Sequence, residues 1–177
     1  VSGRALADAP EAVVSRVPDG YGIRTLTCDD VAALVDLDVV LFGADAWPET
    51  MFRDELAHPE WRRYWGLSSL DEPGRIVGYL GVQYSPRIAD VQTIGVLAEH
   101  RRRGLADFLM YLALERATAW GAESVMLEVR VDNVGAIRLY SGHGFETIHT
   151  RPRYYSDGTD ALIMSRPITR TANQEQK

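Results

Sequence analysis

Apolar residues recur along this chain at two periods, and the switches between them outline its elements. Tyr21 to Thr27 (YGIRTLT) alternates in the manner of a strand. In the following VAALVDLDVVLF, Val31, Leu34, Val35 and Asp38 mark a helical repeat, with Asp29 or Asp30 as candidate N-cap and an end near Gly43. A second, short helix opens at Trp47-Pro48-Glu49-Thr50 and runs to about Ala57. Its proline stands early, where the missing N–H costs least, and Pro59 limits it. Trp61 to Ser69 and Arg75 to Tyr84 read as strands of a hairpin around the four-residue loop Asp71-Glu72-Pro73-Gly74, and Ala89 to Val96 as the next strand.

Gly104 to Trp120 is a long helical stretch. Leu105, Phe108, Leu109 and Leu112 form its stripe, Met110, Tyr111 and Leu114 widen it, and Gly121 ends it. Ser124 to Val129 (SVMLEV) is nearly all apolar, as expected of a strand buried on both faces. Asp132-Asn133 caps a helix through Ser141. Phe145 to Thr150 and Ala161 to Ser165 form a closing antiparallel pair, linked through Ser156-Asp157-Gly158. Val1 to Gly20 shows no steady period and reads as a mobile arm, and Thr169 to Lys177 as a disordered tail. The pattern predicts one mixed α/β domain over residues 21–168, with six or seven strands and about four helices.

Composition narrows the function classes. The 177 residues suit a single domain with a sizeable core. The one cysteine, Cys28, cannot form an internal disulfide, and no Cys/His cluster has zinc-ligand spacing, so no metal is expected and a reducing cytoplasm is the natural setting. The first twenty residues lack the apolar core of a signal peptide, and the run Val39 to Phe42 is far short of the roughly 20 residues that span a bilayer, so a soluble protein without membrane association is expected. A net charge of −6 disfavours a nucleic-acid binder and mildly favours a basic partner.

Candidate chemistry concentrates in two places. Ile94 to Met110 (IGVLAEHRRRGLADFLM) is a strand, a basic loop and a helix start at a glycine. Free backbone N–H groups and the positive end of the helix dipole bind anionic oxygens there, Gly104 permits close approach, and Arg101, Arg102 and Arg103 add charge. An ordinary solvated basic turn is the alternative. Neither the GxGxxG fingerprint nor the lysine-bearing NTPase loop is present. The second place is Glu128 to Asn133 with Ile137, Tyr140 and Gly144-Phe145-Glu146. Asn133 and Tyr140 are spaced to share one helix face. Glu128 is the lone carboxylate on an apolar strand; if buried, its pKa rises toward that of a general base, and Tyr140 could return a proton. A solvent-facing Glu128 and a rim tyrosine remain open as the structural alternative.

Arg101-x-x-Gly104-x-Ala106 matches the [QR]xxGx[GA] signature of the GCN5-related N-acetyltransferases (GNAT). LEVRxDNxxAIxLYxxxGF from Leu127 to Phe145, followed by Arg153-Tyr154-Tyr155 and Asp160-Ala161, resembles the RimI-type ribosomal-protein-alanine N-acetyltransferases of that superfamily. The likeness covers about Gln92 to Met164, with a loose match at Trp47-Pro48. It implies a mostly antiparallel sheet splayed at the cofactor site, acetyl-CoA as co-substrate, and direct transfer to the α-amine of a protein N-terminus. The N-terminal alanine of a small-subunit ribosomal protein is the favoured acceptor, and the enzyme a monomer or weak dimer. By resemblance Glu128 is the proton acceptor and Tyr140 the proton donor. Ile94, Gly95 and Val96 lie on the strand that pairs with pantetheine, Arg102, Arg103, Gly104, Leu105, Ala106 and Asp107 on the pyrophosphate loop, and Asn133 on the cofactor arm. Tyr154 and Tyr155 would line the peptide entrance. Asp107, beside a phosphate site, and Ser141-Gly142-His143, after Tyr140, depart from the pattern. Acetylation of a small amine or a lysine side chain, or a silent acyl-CoA-binding module, are the competing readings.

Overall fold

The computed structural model describes residue 13 and residues 15–168. Seven strands form one sheet: β1 (Tyr21–Thr25), β2 (Arg62–Ser69), β3 (Ile76–Ser85), β4 (Ile88–Val96), β5 (Ser124–Arg130), β6 (Glu146–Arg151) and β7 (Ala161–Pro167). Four helices flank it: α1 (Val31–Phe42), α2 (Glu49–Leu56), α3 (Leu105–Trp120) and α4 (Val134–Gly142). The strand order is β1-β2-β3-β4-β5-β7-β6, and every pairing is antiparallel except β4 with β5. The mixed α/β architecture expected from the sequence is therefore the one observed.

The alternation within β2 explains how both faces of the sheet are covered. Trp65 stacks on Trp120 at the end of α3, and its neighbour Tyr64, pointing the other way, donates its hydroxyl to Glu55 of α2 at 2.9 Å. On the α3 side the stripe Leu105, Phe108, Leu109, Leu112 is buried, each side chain contributing about 1.5–3 kcal/mol. The hairpin loop between β2 and β3 spans 70–75, longer than the four residues expected.

Asp30 is the N-cap of α1, as expected, but its side chain does not bond to that helix: in the single 3₁₀ turn Cys28–Asp30 before α1, Thr27 accepts from the Asp29 N–H while the Asp30 carboxylate accepts from the Thr27 N–H. One local expectation is corrected. The later part of the segment expected as an arm is packed: Val13 is buried, and the Arg16 guanidinium lies 4.6 Å from the centre of the Tyr111 ring. The remainder of that segment, like the expected disordered tail at 169–177, lies outside the described residues. Among the described residues, no helix is long and apolar enough to cross a membrane.

Candidate active site

The site begins with a defect in strand pairing. Parallel pairing of β4 with β5 runs only from Ile88 opposite Ser124 to Val91 opposite Leu127. At the same level the β3–β4 register jumps, Thr93 lying opposite Gly81 and Val91 opposite Val82, so Gln92 is the extra residue of a bulge. A bulge bends and twists its strand. Beyond it β4 and β5 separate, and the gap opens into a cleft of about 600 Å³. Asp38 and Trp47 line it from the α1–α2 side, Glu128 from β5, Tyr140 from α4, and Arg151 and Tyr155 from the β6–β7 hairpin.

Glu128 reaches this cleft because β5 is not buried on both faces, as its composition suggested. Val125, Leu127 and Val129 are buried against the α3 layer, whereas Met126 and Glu128 point to the open face. Of the two readings left open for Glu128 the solvent-facing one holds: its side chain is 32% exposed, and its Oε1 accepts from the Arg151 guanidinium at 2.7 Å. Glu128 in turn acts on Tyr154, whose hydroxyl is pushed up first by hydrogen bonding to this carboxylate.

Tyr140 is buried, and loss of solvent pushes its hydroxyl up to about 12, with Tyr155 adding to the effect. It therefore keeps its proton at any physiological pH. Asn133 and Tyr140 line one cleft, as their spacing suggested, although Asn133 stands just before α4. It is the N-cap of α4, its Oδ1 accepting from the Ala136 N–H at 3.1 Å, and it lines the same cleft from that position. Glycine and histidine after Tyr140 have a plain structural cause: α4 ends at Gly142, and His143 Nε2 lies 3.2 Å from Asp107 Oδ1. The two departures from the family pattern are thus partners in one contact joining α3 to the end of α4.

The loop before α3 has the geometry its sequence suggested. Gly104 sits at φ +77°, a left-handed conformation that favours glycine, and among the described residues no side chain caps the N–H groups of the first turn of α3. Arg102 is also left-handed, at φ 58°. Two of the three arginines are engaged within the protein: Arg101 Nε donates to the Val96 carbonyl at 3.0 Å, and Arg103 donates to the Tyr21 hydroxyl at 3.1 Å. Of the expected cofactor-strand residues only Ile94 lines the cleft. Val96 is buried, and Gly95 lies where a Cβ would stand 2.6 Å from Leu41, so α1 closes directly onto the strand. The residues Arg101 to Asp107 lie outside the cleft lining.

Five charged cleft residues were not among the expected site residues: Asp38, Asp45, Asp90, Arg130 and Arg151. Asp38 is buried on α1, accepts from the Trp47 N–H at 2.6 Å and from the Tyr79 hydroxyl, and is pushed up by burial against the pull of those two bonds. It fastens the segment carrying Trp47 to the core. Arg130 donates to Asp45 at 2.7 Å, Asp157 at 2.6 Å and Thr159 at 2.8 Å, and its guanidinium lies 4.7 Å from the centre of the Tyr155 ring. Ser156 adds a bond to Asp45 at 3.0 Å. One arginine thus ties together the two loops that flank the cleft. Asp90 and Arg151 complete the set. The available signals were a carboxylate at a core position of the α1 stripe, another between Ala89 and Val91 of β4, and Arg130 within the LEVRxDN run; Arg151 gave none.

Comparison with known proteins places this geometry. The model of the Acetyltransferase (GNAT) family matches residues 31–145. The N-alpha-acetyltransferase RimI of Mycobacterium tuberculosis is 37% identical over 150 residues, covering 81% of this chain and 90% of that protein. An uncharacterized Mycobacterium leprae protein is 39% identical over 150 residues, and there the match spans 81% of this chain but only 40% of the relative's length. Among solved structures, the ribosomal-protein-S18-alanine N-acetyltransferase from Escherichia coli superposes with a TM-score of 0.76 at 26% identity, covering 89% of this chain and 99% of that one.

Proposed function

The chain belongs to the acetyltransferase (GNAT) family, and from that premise we propose that it acetylates the α-amine of a protein N-terminus, with the N-terminal alanine of a small-subunit ribosomal protein as the favoured acceptor, by direct transfer within one ternary complex in the cytoplasm. The observation that carries the reading is the convergence of Glu128, Tyr140, Tyr154 and Tyr155 on one cleft at the point where β4 and β5 part. The relatives of M. tuberculosis and E. coli bear the names of N-terminal acetyltransferases and support the choice of acceptor.

The residues present fit acetyl-CoA, which supplies an acetyl group activated as a thioester. The uncapped start of α3 behind the left-handed Gly104 suits pyrophosphate, and the β4 edge freed beyond Val91 suits an extended pantetheine arm. An α-amine has an ordinary pKa of about 7.7–8.0 and arrives largely protonated. Glu128 Oε attracts that ammonium and takes its proton, directly or through water. Arg151 holds Glu128 in place until then. The Tyr140 hydroxyl, holding its proton firmly, offers a hydrogen bond to the departing sulfur. Tyr154 and Tyr155 border the approach of the peptide.

Incubation with acetyl-CoA and two peptides, one with a free N-terminal alanine and one with a blocked N-terminus and an internal lysine, tests the acceptor. Thiol release is expected with the first only. Equal turnover, or turnover of the lysine peptide alone, overturns the N-terminal assignment.

A further inference from the structure

The loop that leads into α3 is strained and yet fixed. Arg102 holds the left-handed conformation at φ 58° and Gly104 at φ +77°. Glycine adopts it freely, but an arginine keeps it only where its surroundings impose it. Both neighbours of Arg102 are tied down by their side chains. Arg101 Nε donates to the Val96 carbonyl at 3.0 Å, an anchor in the adjoining stretch of chain, whereas Arg103 Nη1 donates to the Tyr21 hydroxyl at 3.1 Å, 82 positions away at the start of β1.

Tyr21 is the middle of a longer chain of contacts. Its oxygen accepts from Arg103, which can only donate, so its own proton is left for His100 Nδ1 at 3.0 Å. That bond puts the ring proton of His100 on Nε2, 3.6 Å from the Glu72 carboxylate, and Glu72 is paired with Arg75. His100 is buried, and its ring stands edge-on to that of Tyr21 with centroids 5.8 Å apart. It closes the single 3₁₀ turn Ala98–His100 through which β4 reaches the loop. The chain just before β1 adds a second contact. The Tyr21 N–H bonds to the Pro18 carbonyl at 3.1 Å, and a Cβ on Gly104 would lie 3.9 Å from Pro18 Cγ. Pro18 and Tyr21 both precede the residues 31–145 that the family model matches, so this support comes from outside the loop's own signature.

We infer that Tyr21, braced by His100, is a positioning residue for the cofactor's pyrophosphate: it holds Arg103 behind the loop, and so keeps Arg102 left-handed and the N–H groups at the start of α3 presented to phosphate oxygens. This rests on the proposed binding of acetyl-CoA at that loop. A left-handed residue leading into helical ones turns successive N–H groups toward one point, a concavity suited to an anion. In this arrangement Arg103 is a tether and not a phosphate ligand, and the phosphates are met by peptide groups.

Isothermal titration of the full chain with CoA compares wild type with Tyr21→Phe, Arg103→Met, the double variant, His100→Ala and His100→Asn. Tyr21→Phe and Arg103→Met should each weaken CoA about fivefold at unchanged stoichiometry, and the double variant no further, because all three remove one bond. Arg103→Met does so from an exposed position, so the test does not depend on the folding of Tyr21→Phe. His100→Ala should follow Tyr21→Phe, whereas His100→Asn, whose Oδ1 accepts where Nδ1 did, should stay within about twofold of wild type. A Kd within about twofold of wild type in both Tyr21→Phe and Arg103→Met overturns the inference. So do losses that multiply in the double variant, which would make Arg103 a direct phosphate ligand, and a lower stoichiometry with Kd unmoved, which would make Tyr21 merely structural. Thiol release with the N-terminal alanine peptide gives a second readout. In Tyr21→Phe the KM for acetyl-CoA should rise with kcat unchanged, while kcat/KM for S-acetyl-pantetheine, which has no pyrophosphate, holds at the wild-type value; an equal loss with both donors also overturns it. A wild-type chain that does not bind CoA rejects the cofactor assignment and this inference with it. One that binds CoA without acetylating the peptide rejects the acceptor assignment alone, and the titrations then decide the role of Tyr21.

Discussion

Where β4 runs on toward α3, the groups available to a ligand are peptide groups: the uncapped N–H groups of the first turn, reached past a left-handed glycine, with two neighbouring arginines turned inward to Val96 and Tyr21. In the cleft between β4 and β5 they are side chains, drawn from α1, β4, β5, α4 and the β6–β7 hairpin and held by ion pairs such as Arg151 with Glu128 and Arg130 with Asp45 and Asp157. A backbone site depends on local conformation and tolerates changes in the side chains around it. A side-chain site depends on contacts between distant segments, and one substitution can remove a function.

The contrast predicts how each region breaks. The largest effects belong to the cleft. Glu128→Gln should lower kcat on the order of 10²–10³-fold and Tyr140→Phe about 10²-fold, while isothermal titration finds acetyl-CoA affinity within about twofold of wild type. Unchanged turnover would remove both roles. Next is Arg130→Met, which unties the loops carrying Asp45 and Tyr155. The acceptor KM should rise roughly tenfold with a smaller change in kcat, as expected when charge-assisted hydrogen bonds that order a binding surface are lost. A KM that stays constant would show that the loops keep their places without the arginine. The smallest effect is at the backbone site. Gly104→Ala places a Cβ at φ +77°, a strain of about 1 kcal/mol that the loop relieves by leaving its conformation. Acetyl-CoA should bind about fivefold more weakly with the acceptor KM unmoved; an equal loss on both sides would erase the distinction between the regions.

The elements were legible because their signals are local. The stripe of α3, the Pro48 start of α2, Gly121 after α3 and the Asn133 cap each follow from a few neighbouring residues. So does the α3 loop, since spacing alone puts a glycine before the first turn. Asp30 as N-cap of α1 was legible too, but the direction of its side chain was not, because the reciprocal bond back to Thr27 belongs to a 3₁₀ turn that the helical period does not announce. The apolar run of β5 was misread because Met126 is as apolar as its buried neighbours yet faces a cleft. The state of Glu128 was not legible: Arg151, its partner, lies on β6 and meets it through the pairing of both strands with β7.

The amino-acid sequence by itself determined the order and kind of the elements, the glycine-led start of α3, and the family to which the Leu127 to Phe145 segment belongs. Each of these is a property of consecutive residues acting through backbone conformation and periodic burial. Tertiary structure alone decided the rest: that the β4 bulge at Gln92 opens the sheet beside Glu128, that Arg151 pairs with this carboxylate, and that Arg130 binds two loops across the cleft. Charge pairing acts through space, so which ions meet depends on the packing of segments far apart in the chain.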